Sequence, residues 1–243
     1  MVSLGWLLGL VCSSHYAARQ GVDPRFVWKL VSYMVPVVIV SSKIWLLLSD
    51  WHFYSKYPGE LLQAGGSFYG GLVGAMLLVT VCSYTWKFSI LTLFDILAIG
   101  LPIGHAMGRL GCFAAGCCYG KPTSLPWRIV FTSQVANRLN GTPLHVPLHP
   151  TQLYEAGAEL INFFLLIAMC RNNRTPGRLA GAYLVLYGVE RCVIEVFRGD
   201  PGRTLMLDET ITLMQLVSIC LAVLGTILLL RVRGRTPVAG IPS

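Results

Sequence analysis

The chain has 243 residues, of which 54% are hydrophobic and 12% charged, with a formal net charge of +8 and a mean hydropathy of +0.62. That composition excludes an ordinary soluble domain and makes lipid the natural solvent for most of the sequence. It also excludes a disulfide-rich secreted scaffold, because Cys12, Cys82, Cys170, Cys192 and Cys220 fall singly in apolar stretches, where they read as packing residues.

A hydrocarbon layer about 30 Å thick asks for roughly 20 mostly apolar residues per helical crossing. Seven such windows can be drawn, at 2–18, 27–48, 66–84, 91–110, 153–170, 179–197 and 210–230. The first lacks the basic start of a secretory signal peptide and reads as a span. The expectation is an all-α integral membrane protein of about seven transmembrane helices, forming one domain over 1–235 with a disordered C-terminal tail at 236–243. Residues 111–152, rich in Gly, Pro, Thr and Asn, are expected to form a small extracytoplasmic head, with 49–65 beside it.

The basic residues set the orientation. Arg19, Arg25, Lys29, Lys87, Arg171, Arg174, Arg178, Arg231, Arg233 and Arg235 flank the connections after the first, third, fifth and seventh spans, most of them short, which makes that face cytoplasmic. Lys56, Lys121, Arg128, Arg138, Arg198 and Arg203 are spread over longer loops on the other side. The N-terminus is therefore expected outside and the C-terminus in the cytoplasm of a bacterial inner membrane. The cations are anchors rather than a continuous stripe, which excludes a nucleic-acid partner.

An ionisable side chain at mid-bilayer costs roughly 2.5–3.5 kcal/mol on insertion scales, so those present need partners or a purpose. Lys43, Arg109, Glu155, Glu159, Glu190, Arg191 and Glu195 all map to the outer half of their spans. Structural ion pairs would explain any one of them; a shared, partly wet cavity explains why both signs gather at one level. The spacings 105/109 and 191/195 each place two side chains on one helical face.

Three stretches are specific. Gly65-Gly66-Ser67-Phe68-Tyr69-Gly70-Gly71 opens the third span, where glycines permit close helix approach or backbone contact with a ligand. The run Gly104-His105-Ala106-Met107-Gly108-Arg109-Leu110-Gly111-Cys112-Phe113-Ala114-Ala115-Gly116-Cys117-Cys118-Tyr119-Gly120 sets a guanidinium at a span end before a glycine-rich turn, a combination suited to a phosphate at headgroup level. His149-Pro150-Thr151-Gln152-Leu153-Tyr154-Glu155 enters the fifth span. For Cys112, Cys117 and Cys118 three readings stand: a bracing disulfide, a redox pair, or simple packing. Three thiols with only the distant His145 and His149 lack a compact metal spacing, so no metal and no organic cofactor is expected.

In this order, and with Tyr187-Gly188-Val189-Glu190-Arg191 and Glu195 in the sixth span, these stretches resemble the prolipoprotein diacylglyceryl transferase family over roughly residues 1–230. The resemblance implies a seven-span enzyme that moves the diacylglyceryl group of phosphatidylglycerol onto the lipobox cysteine thiol in a prolipoprotein signal peptide, releasing glycerol phosphate. It implies that Arg109 and Arg191 hold the phosphate, that Gly120 borders the lipid site, and that Tyr187 and Glu195 support Arg191. The substrate-binding set it suggests is Gly70, Gly71, Gly111, Cys112, Gly120, Gln152, Tyr154, Glu155, Tyr187 and Glu195. The chain departs from the family pattern at Tyr69, where a histidine is usual, at Cys112, where asparagine is usual, and at Cys117, where glutamate is usual.

Attack by a thiol needs its thiolate, and a free cysteine has a pKa of about 8.5. Two arginine forks match phosphate oxygens and would also favour the thiolate through their field. The base is expected to be His105, or Tyr69 acting as a relay. Two competing readings are a phospholipid-binding accessory paralogue without transfer activity, which rests on Tyr69 and Cys112, and a membrane thiol oxidoreductase, which rests on the cysteine turn alone.

Overall fold

The computed structural model describes residues 2–63, 66–171, 175–200, 205–206 and 211–233. Gly65, Arg174, Arg203, Arg235 and the expected tail at 236–243 lie outside them. Each apolar window holds a long helix: α1 (Val2–Arg19), α2 (Pro24–Ser49), α5 (Phe68–Trp86), α6 (Ile90–Ala115), α8 (Thr151–Cys170), α9 (Arg178–Glu195) and α10 (Leu213–Arg233). Between them stand the short helices α3 (Trp51–Lys56), α4 (Pro58–Gln63) and α7 (Gln134–Asn140). The chain is an all-α membrane protein, and among the described residues five helices, α2, α5, α6, α8 and α10, are long and apolar enough to cross a bilayer. Helix α9 carries Arg178, Glu190, Arg191 and Glu195, too many charges to meet the same measure.

Helix α6 is the hub, packed against α1, α8 and α9. Its Leu93, Ile96 and Ile99 join Leu10 and Tyr16 of α1, Leu166 of α8 and Leu179 of α9 in one core. Around that core the usual pattern is inverted: Ile39, Val40, Ile44 and Leu48 of α2 face outward, while Asp95, Glu155, Glu159 and Glu195 are buried. Lipid is as apolar as leucine, so helices here are held by close packing and internal hydrogen bonds rather than by removal of apolar surface from water.

Both devices are visible. A methyl group added at Gly70 would strike Trp45 and the backbone of Ser41, and one at Gly74 would strike Ser41, so these two glycines, one turn apart, seat α5 on α2. Gly9 and Gly100 do the same for α1 and α6. The buried Asp95 carboxylate of α6 accepts hydrogen bonds from the backbone N–H of Gly177 (2.8 Å) and Ala180 (2.7 Å), supplying α9 with the N-terminal acceptor that Gly177 cannot provide.

Two expectations are corrected. Residues 49–65 are not simply a loop but carry α3 and α4; Asp50 caps α3 by accepting from Phe53 N–H, and Pro58 opens α4. Helix α6 does not end after Arg109 but continues to Ala115, so Gly111 and Cys112 are helical and the glycine that stops the helix is Gly116, at φ +74°. Beyond it lies a small folded segment. Strand β1 (Ile129–Val130) pairs antiparallel with β2 (Pro147–Leu148), Ile129 opposite Leu148. The buried Thr142 hydroxyl reaches the Gly116 carbonyl at 2.8 Å and ties α7 to the end of α6. A second pair, β3 (Leu205–Met206) and β4 (Ile211–Thr212), precedes α10.

Candidate active site

Three helices deliver the site. His105 and Arg109 lie one turn apart on α6, Glu155 and Glu159 one turn apart on α8, and Arg191 and Glu195 one turn apart on α9. Since α6 packs on both α8 and α9, the three faces meet in one buried cluster. Glu155 is its centre. One carboxylate oxygen takes Arg109 Nη2 at 2.7 Å, and the other lies 3.9 Å from Arg191 Nη1. Arg191 Nη2 pairs with Glu195 at 2.9 Å. A carboxylate taken out of water costs several kcal/mol unless fully paired, and here one carboxylate balances two cations.

His105 is held at both ring nitrogens. Nδ1 stands 2.6 Å from Glu159, and Nε2 accepts from Arg109 Nε at 3.2 Å. Nε2 also lies 3.4 Å from Glu155, and the tautomer that satisfies the Glu159 and Arg109 contacts carries its proton on Nδ1. Tyr183 donates to Glu159 at 3.2 Å, and the Tyr187 ring packs on His105 with centroids 5.6 Å apart. Asn162 donates to Glu190 at 2.5 Å on the same α8–α9 face.

Once these bonds are counted, Nη1 of each arginine makes no hydrogen bond among the described residues. Buried donors are nearly always satisfied, so the buried Nη1 of Arg191 is the exception, and a guanidinium N–H suits an anionic oxygen. Arg109 is the accessible arm: its side chain is 15% exposed and that of His105 25%, against 5% for Arg191.

The other expected site residues serve different parts. Gln152 donates to the Cys117 carbonyl at 2.6 Å, and Thr151 to the Cys118 carbonyl at 2.8 Å, so the start of α8 grips the cysteine turn. Tyr154 accepts from Trp127 Nε1 at 2.7 Å and contacts His149 Nδ1 at 3.2 Å, in an aromatic knot with Phe197. A side chain at Gly120 would collide with His149, and the residue bridges antiparallel to Arg198. Gly70 and Gly71 face α2, and Tyr69 opens the same helix, whose main neighbour is α2. Lys43 bonds the Leu61 and Leu62 carbonyls of α4.

The sequence reading missed Arg198 as a site cation. It pairs with Asp200 at 2.6 Å and lies 3.9 Å from Glu195. Burial works against its charge, but the Asp200 hydrogen bonds and charge outweigh that and hold its pKa above the ordinary arginine value. The 191/195/198 spacing, i, i+4 and i+7, was the available signal.

The thiols of Cys112, Cys117 and Cys118 are free, and their sulfur atoms all lie within 4.8 Å of one another. This corrects the expectation that they lack a compact metal spacing: the left-handed Gly116 and a second left-handed residue, Cys118 at φ +57°, fold the chain back onto the last turn of α6. Burial pushes the Cys117 thiol up. Cys118 is held below the usual thiol range, first by the Cys112 side-chain hydrogen bond, against burial, with the charges of Arg198 and Arg109 assisting.

Comparison with known proteins places the chain in a family. The family model described as prolipoprotein diacylglyceryl transferase matches residues 1–231. The chain belongs to that family. Among curated relatives, the phosphatidylglycerol–prolipoprotein diacylglyceryl transferase of Rhodopseudomonas palustris is 35% identical over 257 residues, covering 100% of this chain and 87% of the relative. The protein of that name from Geobacillus kaustophilus is 34% identical, covering 93% and 83%. That from Clostridium tetani is 28% identical, covering 93% and 88%. As a diacylglyceryl transferase family member, the chain carries His105, Arg109, Glu155, Glu159, Arg191 and Glu195 on helices α6, α8 and α9, which lie within the matched residues.

Proposed function

We propose that this protein transfers the diacylglyceryl group of phosphatidylglycerol to the lipobox cysteine of prolipoproteins, releasing glycerol phosphate. The observation that carries the reading is the convergence of Arg109 and Arg191 on Glu155, with Arg191 Nη1 buried, 3.9 Å from the carboxylate and making no hydrogen bond among the described residues. In the transfer, the substrate sulfur bonds to the glyceryl carbon next to the phosphate as that carbon's C–O bond breaks. The electron pair leaves with glycerol phosphate, which gains a second negative charge. Two fixed guanidiniums stabilise the charge where it develops, without having to reorganise.

His105 acts in this scheme as a positioning residue, since Nε2 accepts from Arg109 while Nδ1 is held by Glu159. Glu155 sets the separation of the two forks and Glu195 anchors Arg191. The chain is read as one unit with seven spans in the bacterial inner membrane, the N-terminus and the segment 116–150 outside and the C-terminus in the cytoplasm. Helices α1 and α9 complete the crossings: α9 buries Glu190, Arg191 and Glu195, and its remaining charge, the exposed Arg178, stands at its first residue.

The test is direct: purified protein in phosphatidylglycerol micelles is given a lipobox peptide. A mass gain of one diacylglyceryl group on the cysteine is expected, with none on a serine analogue. Absence of that product, together with tight binding of phosphatidylglycerol, would instead establish the accessory lipid-binding reading.

A further inference from the structure

We propose that Cys112, Cys117 and Cys118 form a three-thiolate zinc site whose fourth position takes the substrate cysteine and activates it for transfer. The inference rests on the transfer reading above and names how the nucleophile of that reaction is made.

The geometry is built rather than incidental. Tetrahedral zinc with Zn–S bonds of about 2.3 Å sets its sulfurs about 3.8 Å apart, so a trio already within 4.8 Å closes on an ion by small rotamer changes. Cys118 holds a left-handed backbone that costs a non-glycine residue roughly 1–2 kcal/mol. That conformation is fastened from outside by Thr151 on the Cys118 carbonyl and Gln152 on the Cys117 carbonyl, both buried residues. A backbone held from a neighbouring helix is part of what a preorganised ligand set requires.

Ligand number points to catalysis. Among the described residues the cluster gathers these three sulfurs, and three protein ligands with an open fourth position is the arrangement of catalytic zinc rather than structural zinc. Thiolates prefer zinc over harder cations. Three thiolates and one zinc ion carry a net single negative charge, and a fourth thiolate makes it two; Arg109 and Arg198 both place positive charge beside Cys118 to offset it.

Location and chemistry fit the reaction. Cys112 is three residues beyond Arg109 on α6, a rise of about 4.5 Å, which sets a metal-bound nucleophile beside the phosphate clamp. His105, the base expected from the sequence, is tied to Glu159 through Nδ1 and to Arg109 through Nε2. A thiol coordinated to zinc is deprotonated outright. Its proton passes to solvent, the S–C bond forms as the C–O bond breaks, and the departing glycerol phosphate carries the matching negative charge; no redox change occurs.

The experiment uses the full chain in detergent under reducing conditions, stripped with a chelator and titrated with cobalt(II), then zinc(II). One equivalent of cobalt is expected to give thiolate charge-transfer absorption that zinc abolishes. Cys112→Ser and Cys118→Ser should weaken binding by more than the roughly 100-fold that loss of an outer-shell partner costs, while Cys220→Ser, exposed on α10, should not change it. A lipobox peptide, but not its serine analogue, should alter the cobalt d–d bands, and stripping should cut transfer at least tenfold until zinc restores it. The proposal is overturned if no charge-transfer band appears, if the bands ignore the peptide thiol, if transfer survives stripping undiminished, or if the active protein holds a disulfide within the trio. Bands that respond to the peptide without any transfer would instead overturn the transferase reading and leave the thiol-binding metal site standing.

Discussion

Replacing Arg191 with lysine keeps the positive charge and removes the fork. In the structure one guanidinium reaches in two directions, Nη2 to Glu195 at 2.9 Å and Nη1 to 3.9 Å from Glu155. An ammonium on a longer stem is a single point and can serve only one of these places. Glu195 is nearly fully buried and will claim it, leaving the phosphate with Arg109 alone. A hydrogen bond to a charged group is worth about 1.5–3 kcal/mol, so kcat/KM should fall roughly 10- to 150-fold. The lost contact strengthens as glycerol phosphate gains charge, so the deficit should lie mainly in kcat. Initial rates in phosphatidylglycerol micelles measure this, with thermal unfolding of both proteins to verify that the variant is folded. A folded Arg191→Lys protein with kcat/KM within twofold of the parent would refute the clamp.

Glu155→Gln removes the charge that two guanidiniums share, and breaking a buried pair this way should cost about 3–5 kcal/mol of stability, read as a lowered unfolding midpoint in detergent. His105→Gln can still donate to Glu159 and accept from Arg109, so it should keep most of its turnover and the parental pH profile; His105→Leu, which can do neither, should lose about 5- to 150-fold, the equivalent of roughly 1–3 kcal/mol. Equal losses in both variants, with an altered pH profile for Gln, would make His105 the base after all. Gly70→Leu should destabilise by about 1–3 kcal/mol or more through overpacking against Trp45 and Ser41. Gly157→Ala, where an added methyl meets nothing within 4 Å, should leave the unfolding midpoint unchanged or slightly raised.

The long helices were legible because lipid imposes a length and an apolarity that few other environments demand, and every window drawn from composition contains one. The pairing of 105 with 109 and of 191 with 195 was legible for the same kind of reason, since helical spacing alone puts them on one face. The end of α6 was not. Gly108, Gly111 and Gly116 could each have stopped the helix, and only the contacts of Thr142 and Ala136 around Gly116 select the last of them. Helices α3 and α4, at six residues each, are too short for a hydropathy window, although Asp50 and Pro58 were local signs of helix starts. The cysteine trio was hidden because four residues separate Cys112 from Cys117, and their closeness depends on two left-handed residues in a turn held from α8. Arg198 escaped notice because it falls beyond the apolar window, where a cation looks like a loop residue.

The tie between Asp95 and the start of α9 gives two helices a common zero mark. Arg109 stands fourteen positions after Asp95, and Arg191 fourteen after Gly177. At about 1.5 Å per residue both positions lie roughly 21 Å along, so the two arginines arrive level because they are counted from the same origin. The connections elsewhere are free to grow or shrink. Within these two fourteen-residue rulers, a single inserted residue would swing one guanidinium by about 100° and shift it by about 1.5 Å, parting the pair while leaving every helix intact.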